Sequence, residues 1–248
     1  MKPTTWTITL SISRQSGSAP RHFQEFTLEV NPDEYVLDAV ERVWAFHDRS
    51  LNYRHACHHS TCGACGMVVN GVEKLTCITP IREVTRDRGT LRIEPLRNFP
   101  VQSDLVVDMS AFYRNMEASK LNSVSPVEKA DLPIDLPTPA APAVDAERLV
   151  DCIECGLCVS VCPAAATSDS YVGPAALAGA HQQFQATGEI HLLDWADHQD
   201  GLWRCHSAYE CTAVCPSNVN PAWRIMNLRR HVVSQRIRSL FGAKEPRP

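Results

Sequence analysis

The sequence predicts an α+β protein, a β-rich half followed by a mainly helical one. Two observations predict it. Apolar residues alternate with polar ones in the first hundred residues, then take helical spacing after a proline-rich stretch near residues 125–142. The cysteines fall into three tight groups, one in the first half and two in the second.

Trp6, Ile8, Leu10 and Ile12 alternate, as do Phe26, Leu28 and Val30, with a Gly/Ser/Pro turn at Gln15–Pro20 between them. That is a hairpin pattern. Val36, Leu37, Val40, Val43 and Trp44 then fit a helix from Val36 to Phe46. A loop carries Cys57, Cys62 and Cys65, and a second hairpin, Met67–Val69 and Val72–Cys77, turns on Asn70-Gly71. Leu91 and Ile93 suggest one more strand. Five prolines between Pro126 and Pro142 remove backbone donors and fix φ, so this stretch reads as a connection. The expected division is a first domain over 1–105, a connecting helix and linker over 106–148, and a helical domain over 149–248.

Composition narrows the function. The 248 residues carry 24 basic and 28 acidic side chains, a net charge of −4 that argues against nucleic acid as a partner. No window approaches the roughly 18 apolar residues of a membrane span. Met1–Pro20 has neither a basic nor an apolar leader region, so no signal peptide is expected. Eleven cysteines are too few for a small disulfide scaffold, and an odd, clustered set points to metal ligation.

Cys57-x4-Cys62-x2-Cys65, with Cys77 further on, has the plant-type [2Fe–2S] spacing. Gly63 and Gly66 let the loop curl so that backbone N–H groups face sulfur. A zinc site fits less well, since those usually show two separated C-x2-C pairs. Cys57-x-His59 looks like half of a Rieske motif, but no downstream C-x2-H completes it.

Cys152-x2-Cys155-x2-Cys158-x3-Cys162-Pro163 is the bacterial ferredoxin run, whose fourth cysteine serves the other cluster. Cys205, Cys211 and Cys215-Pro216 repeat its offsets, with Ala208 where a fourth cysteine would stand. Crossing over, Cys152, Cys155, Cys158 and Cys215 make a [4Fe–4S] set. Cys162, Cys205 and Cys211 are one thiolate short and read as a [3Fe–4S] set. Three clusters in one chain make an electron relay. No P-loop, G-x-G-x-x-G or nucleophile elbow is present, and the histidines sit mostly in polar surroundings, as surface residues do.

This order of clusters resembles the iron–sulfur subunit of succinate dehydrogenase and fumarate reductase. The resemblance extends to Asn98-Phe99-Pro100-Val101, Asp104–Asp108, Gly173-Pro174-Ala175-Ala176 and Asn220-Pro221, closer to the fumarate-reductase branch. It implies an N-terminal β-grasp, plant-type ferredoxin domain followed by a bacterial-ferredoxin-like helical domain. It also implies an FAD-bearing flavoprotein partner, a membrane anchor subunit that in some relatives carries haem b, and electron flow between the flavin and a membrane quinone. The chain would then lie on the cytoplasmic face of a bacterial cell membrane, held by the anchor. Family positions near the quinone match Pro163, His206, Ala208 and Arg229. Ubiquinone-linked relatives carry a tryptophan shortly after the proline. Here Ala164–Thr167 hold none, which implies menaquinone. The loop departs from the family at His58 and His59, while all four [2Fe–2S] ligand positions are cysteine. Seven basic residues between Arg224 and Pro248 could face anionic headgroups, at about 1 kcal/mol each, or form an exposed helix that packs on the anchor or is simply solvated. A free-standing polyferredoxin, or a thiol-coupled fumarate reductase, is the alternative; relatives of the latter kind often carry Cys-Cys-Gly domains that are absent here.

Overall fold

A computed structural model of the chain describes residues 5–17, 19–120 and 152–241. The proline-rich stretch, Lys244 and Arg247 lie outside the described residues.

The first half is a five-stranded mixed sheet in the order β2-β1-β5-β3-β4. Strands β1 (Trp6–Arg14) and β2 (His22–Val30) form the expected antiparallel hairpin. Strand β5 (Thr90–Glu94) runs parallel to β1 on its other side, and the short hairpin β3 (Gly66–Val69) and β4 (Val72–Leu75) joins β5 antiparallel. Helix α1 spans Val36–Phe46, as its periodicity predicts. Its Val36, Val40 and Val43 are buried in one cluster with Ile8, Leu10 and Ile12 of β1 and Leu91 and Ile93 of β5. Burying each such side chain is worth about 1.5–3 kcal/mol, so this cluster fixes α1 on the sheet. Cys77 sits in a single 3-10 turn, Thr76–Ile78, rather than extending β4.

The loop that leaves α1 is tied to the sheet by a polar knot. Arg14, at the end of β1, pairs with Asp48 at 2.7 Å and Asp104 at 3.0 Å. Asp104 also accepts the backbone N–H of Gln15 and of Asn52. The segment entering the Cys57 loop is therefore held where it passes the rim of the sheet. After a one-turn helix α2 (Ile81–Val84), the chain continues through the pair β6 (Val101–Ser103) and β7 (Val106–Val107) into helix α3 (Ser110–Ala118).

The second half is helical: α4 (Leu157–Ser160), α5 (Pro174–Thr187), α6 (His191–Ala196), α7 (Glu210–Ala213) and α8 (Pro221–Leu240). Small residues on α5, Ala175, Ala176, Ala178 and Ala180, are buried and let α8 approach closely. One apolar cluster runs through both halves, from Leu37, Cys65 and Cys77 to Leu157, Cys162 and Leu228. A polar strap reinforces it. Asn98 donates its side-chain amide to the carbonyls of Val159, Ser160 and Cys162 at 2.8–3.1 Å. The Ser160 hydroxyl donates to buried Glu73, which stands on β4.

One sequence reading needs correction, and one histidine departs from the surface placement expected of most. Arg224, counted among the basic residues that could face a membrane, is buried; it donates to Gln182 at 2.7 Å and to the Val219 carbonyl. His181 is not a surface residue. It is fully buried on α5, edge-on to Trp223 and 5.8 Å from the ring of His231.

Burial, then the charges of Arg224 and His231, push the His181 imidazole down to about 4. Its folded pKa lies below the ordinary value of 6.5, so the folded state binds fewer protons than the unfolded one between these values. Its contribution to stability is complete above pH 6.5 and is lost as pH falls toward about 4. Chemical unfolding as a function of pH should show that loss, and His181→Leu should flatten it.

Candidate electron-transfer site

The eleven cysteines gather into three sets, each where a turn meets a short element. In the first, Cys57 lies in the loop after α1. Backbone N–H groups of His59, Thr61 and Cys62 donate to its sulfur at 3.3–3.5 Å. These bonds pull the Cys57 thiol down to about 6. Cys65 precedes β3, and its carbonyl accepts both the backbone N–H and the hydroxyl of Thr76, bringing Cys77 alongside. Cys77 is pushed up to about 12, chiefly by burial and further by its hydrogen bond with Cys65 and the charges of Cys65 and Cys57.

Cys152, Cys155, Cys158 and Cys215 line a second cavity, walled by Phe112, Ala175, Ala178 and Val219. Cys158 is the second residue of α4, and Cys215 follows α7. Gly156 gives the turn its shape: its φ is +76°, and an added Cβ would stand 2.9 Å from the Met109 methyl. Burial pushes the Cys155 thiol up to about 12 and Cys158 well above its ordinary value, each raised further by neighbouring sulfurs.

Cys162, Cys205 and Cys211 line the third cavity with Pro163, His206 and Ala208. The Cys211 thiol is pushed up to about 12 by burial and then by Cys162 and Cys205. Ala208, where a fourth cysteine would stand, is part of this lining. Arg229 is not. It lies in an adjoining groove with Tyr209, Trp223 and Met226, and donates to the carbonyls of Leu202 at 3.2 Å and Cys205 at 2.9 Å. Tyr209 borders both spaces. Of the four residues expected near a quinone, three share the cavity and the fourth braces the turn that carries Cys205.

Tyr171 went unnoticed in the sequence. It lines this third cavity with its hydroxyl shielded from water, and burial, then the charges of Cys205, Cys162 and Cys211, raises its pKa strongly. An isolated tyrosine in a loop carries no sequence signal for such a place.

Crowded, buried thiols resist ionisation, because desolvation and mutual repulsion both disfavour the thiolate. A shared cationic centre removes both penalties. The donor chemistry of all three sets therefore fits iron–sulfur clusters, which thiolates hold. The sets also adjoin. The Gly63 backbone, at φ +69°, packs against the Cys155 loop so closely that a Cβ would stand 2.6 Å from the Ile153 carbonyl oxygen. Cys158 in turn senses the charge of Cys211 in the third set.

Comparison with known proteins bears on this arrangement. The model of a 2Fe-2S iron-sulfur cluster binding domain matches residues 9–114, and that of a 4Fe-4S dicluster domain matches residues 148–219. The fumarate reductase iron-sulfur subunit of Escherichia coli is 37% identical over 190 residues, covering 75% of this chain and 76% of that protein. The chain belongs to the family of fumarate reductase and succinate dehydrogenase iron–sulfur subunits. The Mycobacterium tuberculosis fumarate reductase iron-sulfur subunit is 34% identical over 255 aligned positions, covering 94% of this chain and 96% of that one. Among solved structures, a chain of the apo Sdh1 complex of Mycobacterium smegmatis superposes with a TM-score of 0.77 at 26% identity, covering 94% and 98% of the two chains. The subunit's iron–sulfur domains fit an electron-transfer role within an oxidoreductase complex.

In this subunit the Gly63 backbone brings the sheet half against the turn that carries Cys155. Gly63→Ala should cost at least about 1–2 kcal/mol from the left-handed backbone alone, with the clash against Ile153 added to it. Denaturant unfolding of the cluster-loaded protein should record the loss. Equal stability of the Gly63→Ala variant and the wild type would show that the loop does not bear on the Cys155 turn.

Proposed function

We propose that the subunit carries electrons between the FAD of a flavoprotein partner and a membrane quinone in a succinate:quinone or quinol:fumarate oxidoreductase. The observation that carries this reading is the row of three adjoining thiol sets. Cys57, Cys62, Cys65 and Cys77 would hold a [2Fe–2S] cluster; Cys152, Cys155, Cys158 and Cys215 a [4Fe–4S] cluster; Cys162, Cys205 and Cys211 a [3Fe–4S] cluster. When bound, these groups supply one-electron redox chemistry. The chain's own work is to fix their order, keep water from the buried sulfurs and hold the turns rigid.

In this reading the sheet domain is a β-grasp, plant-type ferredoxin fold over 1–105, and 149–248 form a bacterial-ferredoxin-like domain. Residues 106–148 connect them. Pro163, His206, Ala208 and Arg229 lie nearest the quinone, which we take to be menaquinone. An imidazole or guanidinium donor there would stabilise charge developing on a quinone carbonyl. An anchor subunit, with or without haem b, would hold the protein on the cytoplasmic face of the bacterial membrane. Among the described residues no helix is long and apolar enough to cross one. The exposed end of α8, Ile237, Leu240 and Phe241, suits contact with such an anchor.

Two experiments test these assignments. Oxidised protein should give a three-iron paramagnetic resonance signal. Ala208→Cys should convert that centre to a four-iron cluster of lower potential, because an added thiolate brings negative charge. Two four-iron clusters in the wild type would refute the assignment. For the quinone, the purified complex should turn over faster with menaquinone than with ubiquinone analogues, and Arg229→Ala should impair quinone kinetics more than dicarboxylate binding. A preference for ubiquinone would reject menaquinone as the partner.

A further inference from the structure

Glu41 stands on α1, and its Oε1 meets the loop that carries Cys57. His55 Nδ1 lies 3.1 Å from this oxygen and His58 Nε2 lies 3.2 Å from it. The two ring nitrogens are 3.2 Å apart. Oε1 is shielded from solvent and accepts no hydrogen bond. Metal–ligand bonds of about 2.0–2.1 Å set ligand atoms roughly 2.9 Å apart in octahedral geometry and roughly 3.4 Å apart in tetrahedral geometry. All three edges of this triangle fall between those limits.

The rings are oriented before any ion arrives. Tyr53 stacks on His55 with centroids 5.1 Å apart and planes 18° from parallel. His58 stands nearly perpendicular to His55, at 84°. His58 also holds a left-handed backbone, φ 58°, a conformation disfavoured for a residue with a Cβ. Both histidines are open to water, so an ion has a path in.

We propose that Glu41, His55 and His58 bind a divalent ion of the zinc type, with a further position open to water, and that the ion fastens the Cys57 loop to α1. Two imidazoles and one carboxylate suit such an ion better than calcium or magnesium, which favour oxygen-only sets. The site uses none of the eleven cysteines, although His58 directly follows Cys57 in the chain.

The test uses the full chain replete in iron and sulfide, so that its cysteines are engaged. Equilibrated with micromolar Zn2+ and passed through a desalting column, it should keep one zinc per chain by elemental analysis. His55→Ala, His58→Ala and Glu41→Gln should each weaken zinc binding by at least the roughly 10–100-fold that loss of a supporting group costs. Glu41→Gln keeps the side chain's shape and serves where a histidine variant loses iron. Co2+ in place of Zn2+ should broaden the reduced [2Fe–2S] resonance, since His58 adjoins Cys57, whereas Zn2+ should not. Absence of that resonance alongside normal zinc retention would fault the [2Fe–2S] assignment and leave the zinc site standing. No retained zinc, or equal retention by wild type and Glu41→Gln, would overturn the site.

Discussion

The constraint on which this structure depends is the cost of crowding thiols away from water. Each set of cysteines needs sulfurs close enough to share one inorganic core, yet burial and neighbouring charge push Cys155, Cys158, Cys77 and Cys211 away from ionisation. Left to themselves such sulfurs would rather move apart. The surrounding chain must hold them together before iron arrives, and the features that do so are backbone features. Gly156 lets a turn pass under a methionine methyl, N–H groups aim at Cys57, and short helices α4 and α7 start beside their cysteines.

The same constraint explains why the two halves share a core instead of meeting at a thin interface. A turn bearing several cysteines has little apolar surface of its own. Asn98 therefore reaches from the sheet half to occupy three carbonyls at the end of α4, and Glu73 receives the hydroxyl of Ser160. The Val159 and Cys162 carbonyls already accept the backbone N–H groups of Cys162 and Ala166, so the Asn98 amide gives each a second donor. The sheet domain is thus part of the scaffold of the helical one.

How much of this was legible in the sequence follows from range. The cysteine spacing is local, and so the three sets could be written down from it; the cavities gather Cys152, Cys155, Cys158 and Cys215 apart from Cys162, Cys205 and Cys211. Helix α1 and the two hairpins were equally plain, because their periods and turn residues are local too. What escaped were single residues whose partners are distant in the chain. Nothing around His181 foretells that α8 will cover it, and nothing near Glu41 foretells two histidines from a loop more than ten residues away. Asn98 looked like a piece of a motif, and only the packed turn gives its amide a task.

The basic C-terminal region shows why a charge count is not a charge distribution. Of its arginines on α8, Arg224 is buried, Arg229 is engaged by the carbonyls of Leu202 and Cys205, and Arg236 is paired with Asp197. Trp203 lies beneath the guanidinium groups of both Arg229 and Arg236. Of these three charges Arg229 and Arg236 are thus committed to the turn of the third thiol set and Arg224 to α5, while Arg230 and Arg238 on the same helix stay exposed. The attraction of the committed three to a membrane would have to exceed those contacts, whereas an apolar surface meeting Ile237, Leu240 and Phe241 would disturb none of them. That difference favours a protein partner at this end of the helix, with electrostatics left to set its orientation.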